Sequence, residues 1–178
     1  MTPARTKYEL KPGAATREAF GKALVELGAS NPQVVVLDAD LSKSTYTAEF
    51  GKKFPDRFFQ CGIAEANMVA IGAGLASSGK IPFVSSFSVF VLNKGFEQLR
   101  VTAAFPRVNL KAVGTHSGIS IGEDGPSQMS IEDLSLACSL PGFTVISLGE
   151  KVKLSIVTCT VSACAAETAT QEMARIAA

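Results

Sequence analysis

An α/β domain built on a mostly parallel sheet, with helices on both of its faces, is the fold this 178-residue sequence predicts. Three observations carry the expectation. Short apolar runs such as Val-Val-Val-Leu at 34–37 read as strands buried on both faces, the pattern of parallel sheets. Segments of helical period separate them, so strand and helix signals alternate along the chain. The stretches at 38–47, 61–66, 85–90 and 114–128 each follow a predicted strand, which gathers them at the carboxyl edge of the sheet, where such folds bind ligands.

The elements follow in order. Thr16 is placed to cap a helix running to about Leu27, with Ala19, Phe20, Ala23, Leu24 and Leu27 on one face and Gly28 ending it. Residues 34–37 form a buried strand, closed by the polar stretch 38–47. A second strand spans 58–61, followed by a helix over 65–78 that Gly79 stops. The third strand occupies 81–84 and leads to a helical stretch over 89–104. A fourth strand at 110–113 opens the Gly-rich loop 114–127. Ser130 and Asp133 have capping-box spacing for a helix to about Ser139, and 144–146 begins a fifth strand. The helix over 65–78 carries Ala66, Ala70, Gly72, Ala73, Gly74 and Ala76. Small residues admit a close neighbour, either the helix's own sheet or a partner chain.

From Ser147 the pattern dissolves. The remaining stretch contains two of the four cysteines and no Gly, Pro, Phe or Asp after Gly149, which fits a poorly specified terminal helix or a stretch under different selection. The expected organisation is an arm at 1–13, a domain at 14–146 and an atypical tail at 147–178.

Composition narrows the function classes. Apolar residues make up 47% of the chain, which excludes a disordered polypeptide. No apolar run approaches the ~18 residues of a membrane span, and the polar N-terminus has no secretory stretch. A net charge of +1 with scattered Lys and Arg leaves no footprint for nucleic acid or an anionic membrane. Cys61, Cys138, Cys159 and Cys164 make no C-x-x-C pair and there is one histidine, so neither zinc nor a disulfide framework is expected. A reduced cytoplasmic protein is.

Glu65 is the single acidic residue between Asp56 and Glu97, at a strand-to-helix junction. It reads either as a helix-start carboxylate or as a group placed to handle a proton. The loop 114–127 is no P-loop, since no Gly-Lys-Ser/Thr follows, and Gly72-Ala73-Gly74 lies inside a helix, unlike a dinucleotide fingerprint.

Cys-Gly-Ile-Ala-Glu-Ala-Asn-Met at 61–68, taken with Thr-His-Ser-Gly-Ile-Ser-Ile-Gly-Glu-Asp-Gly-Pro-Ser at 115–127, resembles the transketolase family. The likeness is to its pyrimidine-binding domain, as carried by the C-terminal half of transketolases split into two chains, and it runs from about 14 to 146. It implies that Glu65 is the activating glutamate of thiamine diphosphate enzymes. The carboxyl would share a proton with N1′ of the aminopyrimidine, favouring the imino tautomer that deprotonates the thiazolium C2, with the cofactor as electron sink. Desolvation suits that sharing, so the resemblance requires Glu65 to be buried.

Phe87 and Phe90 match the aromatic pair around the pyrimidine, although their spacing alone reads as core. His116, a catalytic candidate with Glu65, matches a histidine near the sugar-phosphate end of the substrate channel, and Asp124 matches an aspartate that contacts a substrate hydroxyl. Arg17 and Ser44 resemble phosphate-contacting residues. Without the resemblance, Arg17 reads equally as a solvated first-turn residue. Gln128 stands where many transketolases have a second histidine, and a Gln side chain cannot serve as acid or base near neutral pH.

The Gly-Asp-Gly…Asn motif for magnesium and diphosphate is absent, so Mg2+ is expected on a diphosphate-domain partner, the N-terminal subunit, and none on this chain. The resemblance implies a cytoplasmic transferase subunit of the pentose phosphate pathway, moving a two-carbon ketol unit between sugar phosphates in a homodimer or heterotetramer. Family members continue past 146 with Pro-Ala-Asp-like residues, so a truncated or frameshifted tail is expected. Related readings are 1-deoxyxylulose-5-phosphate synthase and the β subunit of 2-oxo acid dehydrogenases. The aberrant tail and the lost histidine favour a different class, a non-catalytic remnant.

Overall fold

Strand β1 (Val34–Asp38) is buried along its whole length, and the alternation of its side chains divides the core in two. Val34 and Val36 meet Phe20 and Leu24 of helix α1 (Thr16–Ser30) and Phe50 of helix α3 (Ala48–Lys53). Val35 and Leu37 meet Met68 and Val69 of helix α4 (Glu65–Ser77) on the opposite face. Helices therefore cover both faces, which is why the strand sequence is continuously apolar. The computed structural model describes residues 15–119, 121–149 and 154–161.

The sheet adds β2 (Phe58–Gln60), β3 (Ile81–Phe87), β4 (Lys111–Thr115), β5 (Phe143–Gly149) and β6 (Leu154–Val161) in the order β2-β1-β3-β4-β6-β5. Strands β2, β1, β3 and β4 are mutually parallel, as the sequence predicts. The other edge differs. Strand β6 enters antiparallel between β4 and β5, with Val113 opposite Thr158 and Val145 opposite Cys159. A terminal helix was one expectation for this stretch; Leu-Ser-Ile-Val-Thr-Cys-Thr-Val is rich in β-branched residues and pairs as a strand instead. The arm at 1–13 and the end of the tail lie outside the described residues.

Several boundaries move for packing reasons. Helix α1 continues through Gly28 to Ser30, because Gly28 serves close approach rather than termination. A Cβ there would lie 2.4 Å from a ring carbon of Phe50. The polar stretch after β1 holds a short helix, α2 (Ser42–Thr45), ahead of α3, which periodicity did not reveal. The helical stretch at 89–104 is two π-helical segments, Val89–Lys94 and Leu99–Ala104, around a short α5 (Phe96–Gln98). The capping box at Ser130 does not form: helix α6 (Asp133–Cys138) starts after Glu132 without a side-chain cap. Buried Asp133 accepts instead from Ser88 Oγ at 2.8 Å, a tertiary bond that displaces the local one. On α4, a Cβ at Gly72 would meet Val84 Cγ1 at 2.5 Å, so that small residue packs the helix onto its own sheet, whereas Gly74 faces open space.

Lys111 is 3% exposed, and burial pushes its ammonium down to about 8. The Asn109 side-chain oxygen accepts from it. Replacing buried ionic groups by well-packed apolar chains of similar volume ranges from neutral to stabilising by roughly 1–4 kcal/mol. Lys111→Met is therefore expected to raise stability by about 2 kcal/mol at pH 7 in urea melts. A lysine depressed in the fold lowers stability only while the unfolded chain holds its extra proton. The gain should thus shrink as pH rises from 8 toward 10.5. A variant less stable than the parent at pH 7 would contradict this.

Among the described residues no helix is long and apolar enough to cross a membrane.

Candidate active site

Four parallel strands in order β2-β1-β3-β4 place their carboxyl ends on one edge, and the chain direction across the sheet reverses between β1 and β3. Register sets Asp38 beside Gln60 and Ser85, and Phe87 beside Thr115. Glu65 opens α4, Phe87 ends β3, His116 follows β4, and Arg17 lies in the first turn of α1.

Glu65 is 3% exposed, so the burial that proton sharing requires is present. Lys94 Nζ, on a half-exposed side chain, donates to Oε1 at 3.3 Å and Oε2 at 3.4 Å. The same ammonium sits 4.4 Å from the centroid of the Phe90 ring. Phe90 stacks on Phe87 with centroids 5.7 Å apart and planes 10° from parallel. Lys94, which joins Glu65 to Phe90 in this candidate site, is a residue the sequence did not point to. Its one signal was a position four residues beyond Phe90, on the same helical side.

His116 adjoins this group, its ring centroid 4.2 Å from that of Phe87. Its backbone is left-handed, with φ of 56°. Arg17 Nη1 lies 3.1 Å from Nε2, and Thr115 Oγ1 lies 2.9 Å from Nδ1. Burial first, then the Arg17 charge, pushes the imidazole down to about 4 against the opposing pull of Asp124. The ring is therefore neutral near pH 7.

Arg17 is no solvated residue. It donates to the Ser44 carbonyl oxygen at 3.3 Å and lies 5.6 Å from the Tyr46 ring centroid. Ser44 thus joins through its backbone. Asp124, exposed in the 3-10 turn Gly122–Asp124, acts on His116 through its charge. Gln128 ends the turn Pro126–Gln128, and its amide oxygen accepts from Ser127. Arg17, Ser44, Phe87 and His116 form one cluster, which joins Glu65 through Phe90 and Lys94.

A second unforeseen residue is Asp38, fully buried at the end of β1. Thr45 Oγ1 and Thr47 Oγ1 each donate to Oδ2 at 2.8 Å, and the Leu41 amide donates to Oδ1 at 2.7 Å. Burial raises the carboxyl above its ordinary range, and these bonds pull it back. In the sequence Asp38 closes a run of four apolar residues with Asp40 two positions on, and nothing local separates the two carboxylates. Asp38 ties the 38–47 loop to the sheet edge. Beside it, the buried Ser85 and Ser86 hydroxyls have no hydrogen-bond partner among the described residues. Those residues hold no cluster of His, Cys, Asp and Glu suited to a metal ion.

The family model described as "Transketolase, pyrimidine binding domain" matches residues 12–178. A Methanocaldococcus jannaschii protein named for a transketolase C-terminal section is 49% identical over 131 residues, 74% of this chain and 42% of that protein. Human transketolase is 44% identical over 144 residues, 80% of this chain and 23% of the enzyme. Among solved structures, a split-gene transketolase in an inactive β4 tetramer is 53% identical with a TM-score of 0.63, covering 73% of this chain and 41% of that one. Campylobacter jejuni transketolase is 30% identical with a TM-score of 0.69, covering 75% and 22%. The chain thus spans about two fifths of the split relatives and under a quarter of the full-length enzymes. With a buried glutamate opening α4 and an aromatic pair beside it, on a sheet shared with these structures, the chain belongs to the transketolase family as its pyrimidine-binding domain.

Proposed function

We propose that this chain supplies the pyrimidine-side half of a thiamine diphosphate-dependent transketolase, which moves a two-carbon ketol unit between sugar phosphates once a diphosphate-domain chain completes the site. The observation that carries the reading is the buried Glu65 carboxylate beside the stacked Phe87 and Phe90. The residues suit the cofactor. Lys94 Nζ marks a position that touches both the Glu65 carboxyl and the Phe90 face, and an aminopyrimidine there could accept a proton held on Glu65 through its ring nitrogen while its face stacks on Phe90.

When bound, thiamine diphosphate supplies the nucleophilic carbon and the electron sink. Glu65 holds a proton against the pyrimidine nitrogen, which requires Lys94 to swing away. Phe87 and Phe90 would hold the cofactor's pyrimidine between apolar faces and keep water from it. Arg17 offers a positive charge to a substrate phosphate beside the Ser44 backbone. His116, Asp124 and Gln128 meet the sugar. Mg2+ and the diphosphate groups belong to the partner.

The inactive β4 tetramer of the split-gene relative supports an expectation that copies of this chain alone do not turn over. Gln128, which cannot exchange a proton near neutral pH, favours the second reading, a fold that has lost the reaction. Calorimetry separates them. A mixture with a diphosphate-domain chain should bind thiamine diphosphate and Mg2+, and Phe90→Ala should weaken binding by about tenfold, the loss of one aromatic contact. A mixture that assembles yet binds no cofactor would favour the remnant.

A further inference from the structure

We propose that Arg17 is a positioning residue that fixes the tautomer of His116, keeping Nε2 as the acceptor and the ring proton on Nδ1. The argument is donor counting. A guanidinium has only N–H donors, so the contact of 3.1 Å from Arg17 Nη1 makes Nε2 a lone-pair acceptor. A neutral ring then carries its proton on Nδ1, which donates to Thr115 Oγ1 at 2.9 Å. The Thr115 hydroxyl donates in turn to the Ser86 carbonyl oxygen at 3.4 Å. Every group in this chain has one role, and reversing any of them sets two donors against each other.

The surroundings hold the arrangement. Phe87 of β3 packs on the imidazole, and Tyr46, just past α2, lies beside the guanidinium. The Ser44 carbonyl accepts from the same Nη1. The charged groups acting on the ring are Arg17 from α1 and Asp124 from its turn, the first opposing protonation and the second favouring it. A second ring proton would have to sit on Nε2, against the Arg17 N–H. On the reading that sugar phosphates bind here, His116 meets them as an acceptor and donates through Nε2 only after an anionic group draws Arg17 away.

His116 is the sole histidine of the sequence, so a nitrogen-15 spectrum of the imidazole reports it without ambiguity. In the full chain at pH 7, the expected signal is the Nδ1–H tautomer. Arg17→Met should raise the titration midpoint by about one pH unit or more, with both tautomers populated. Arg17→Lys, which again offers only donors, should restore much of the parent signal. A parent ring protonated on Nε2, or an Arg17→Met ring unchanged in tautomer and midpoint, would overturn the proposal. Should Arg17→Met fail to fold, Thr115→Val tests the other end: keeping the Nδ1–H tautomer, with Arg17 still donating to Nε2, supports the proposal, and losing it would pass control of the tautomer to Thr115 and overturn it. The spectrum needs neither cofactor nor partner. An Nδ1–H signal in a chain that never yields ketol transfer would sink the proposed function and leave this inference standing.

Discussion

Glu65→Gln is expected to lower ketol transfer by the completed enzyme by about 10^3-fold or more, within the range for removing a proton-handling group. The amide keeps the shape of the side chain but cannot share a proton with a pyrimidine nitrogen. Its structural effect should be small. Among the described residues the cation on the carboxylate is Lys94, whose half-exposed side chain makes the pair worth about 1 kcal/mol or less. Melting of the isolated variant should therefore follow the parent closely while turnover collapses. Near-parental transfer by this variant would remove Glu65 from the mechanism, whatever its burial.

Asp38→Ala carries the largest expected effect on stability. Three donors converge on that carboxylate: two threonine hydroxyls and the Leu41 amide. Each buried donor left without a partner costs about 1–3 kcal/mol. The hydroxyls recover part of this, since Thr45 also bonds Thr47 and the Leu41 carbonyl. A net loss of about 3 kcal/mol in urea melts is expected. Asp38→Asn should lose less, because it keeps an acceptor and removes a desolvated charge. The pH dependence has a definite sign. The folded pKa of Asp38 is raised, so its contribution is fullest below the unfolded value of 3.8 and declines as pH rises through the folded value. A loss within about 0.5 kcal/mol, the range of ordinary surface substitutions, would mean the loop holds itself without Asp38.

The sheet and its edge were legible because the central strand β1, buried on both faces, opens with an uninterrupted run of Val and Leu, and because polar loops follow the strands. Glu65 was legible for a related reason: no other carboxylate lies near it in sequence. Lys94 and Asp38 were not. Each matters through partners far along the chain or scattered through a loop, 29 positions away for Lys94 and Glu65, and no local pattern marks such a pair. Ser130 and Asp133 show the converse, a correct local signal overruled by Ser88, 45 positions away. Arg17 read equally as a phosphate contact and as a solvated first-turn residue, and the contacts that α1 gives it with Ser44 and His116 lie far along the chain. Strand β6 escaped because 150–178 lacks the punctuation of glycine and proline that delimits the earlier elements.

The most direct test of the central claim mixes this chain with the diphosphate-domain section of a split transketolase, adds thiamine diphosphate and Mg2+, and follows ketol transfer between two sugar phosphates. The account predicts no turnover from either chain alone, turnover from the mixture, and its loss with Glu65→Gln. A mixture that forms a stable complex, binds the cofactor and still transfers nothing would contradict it.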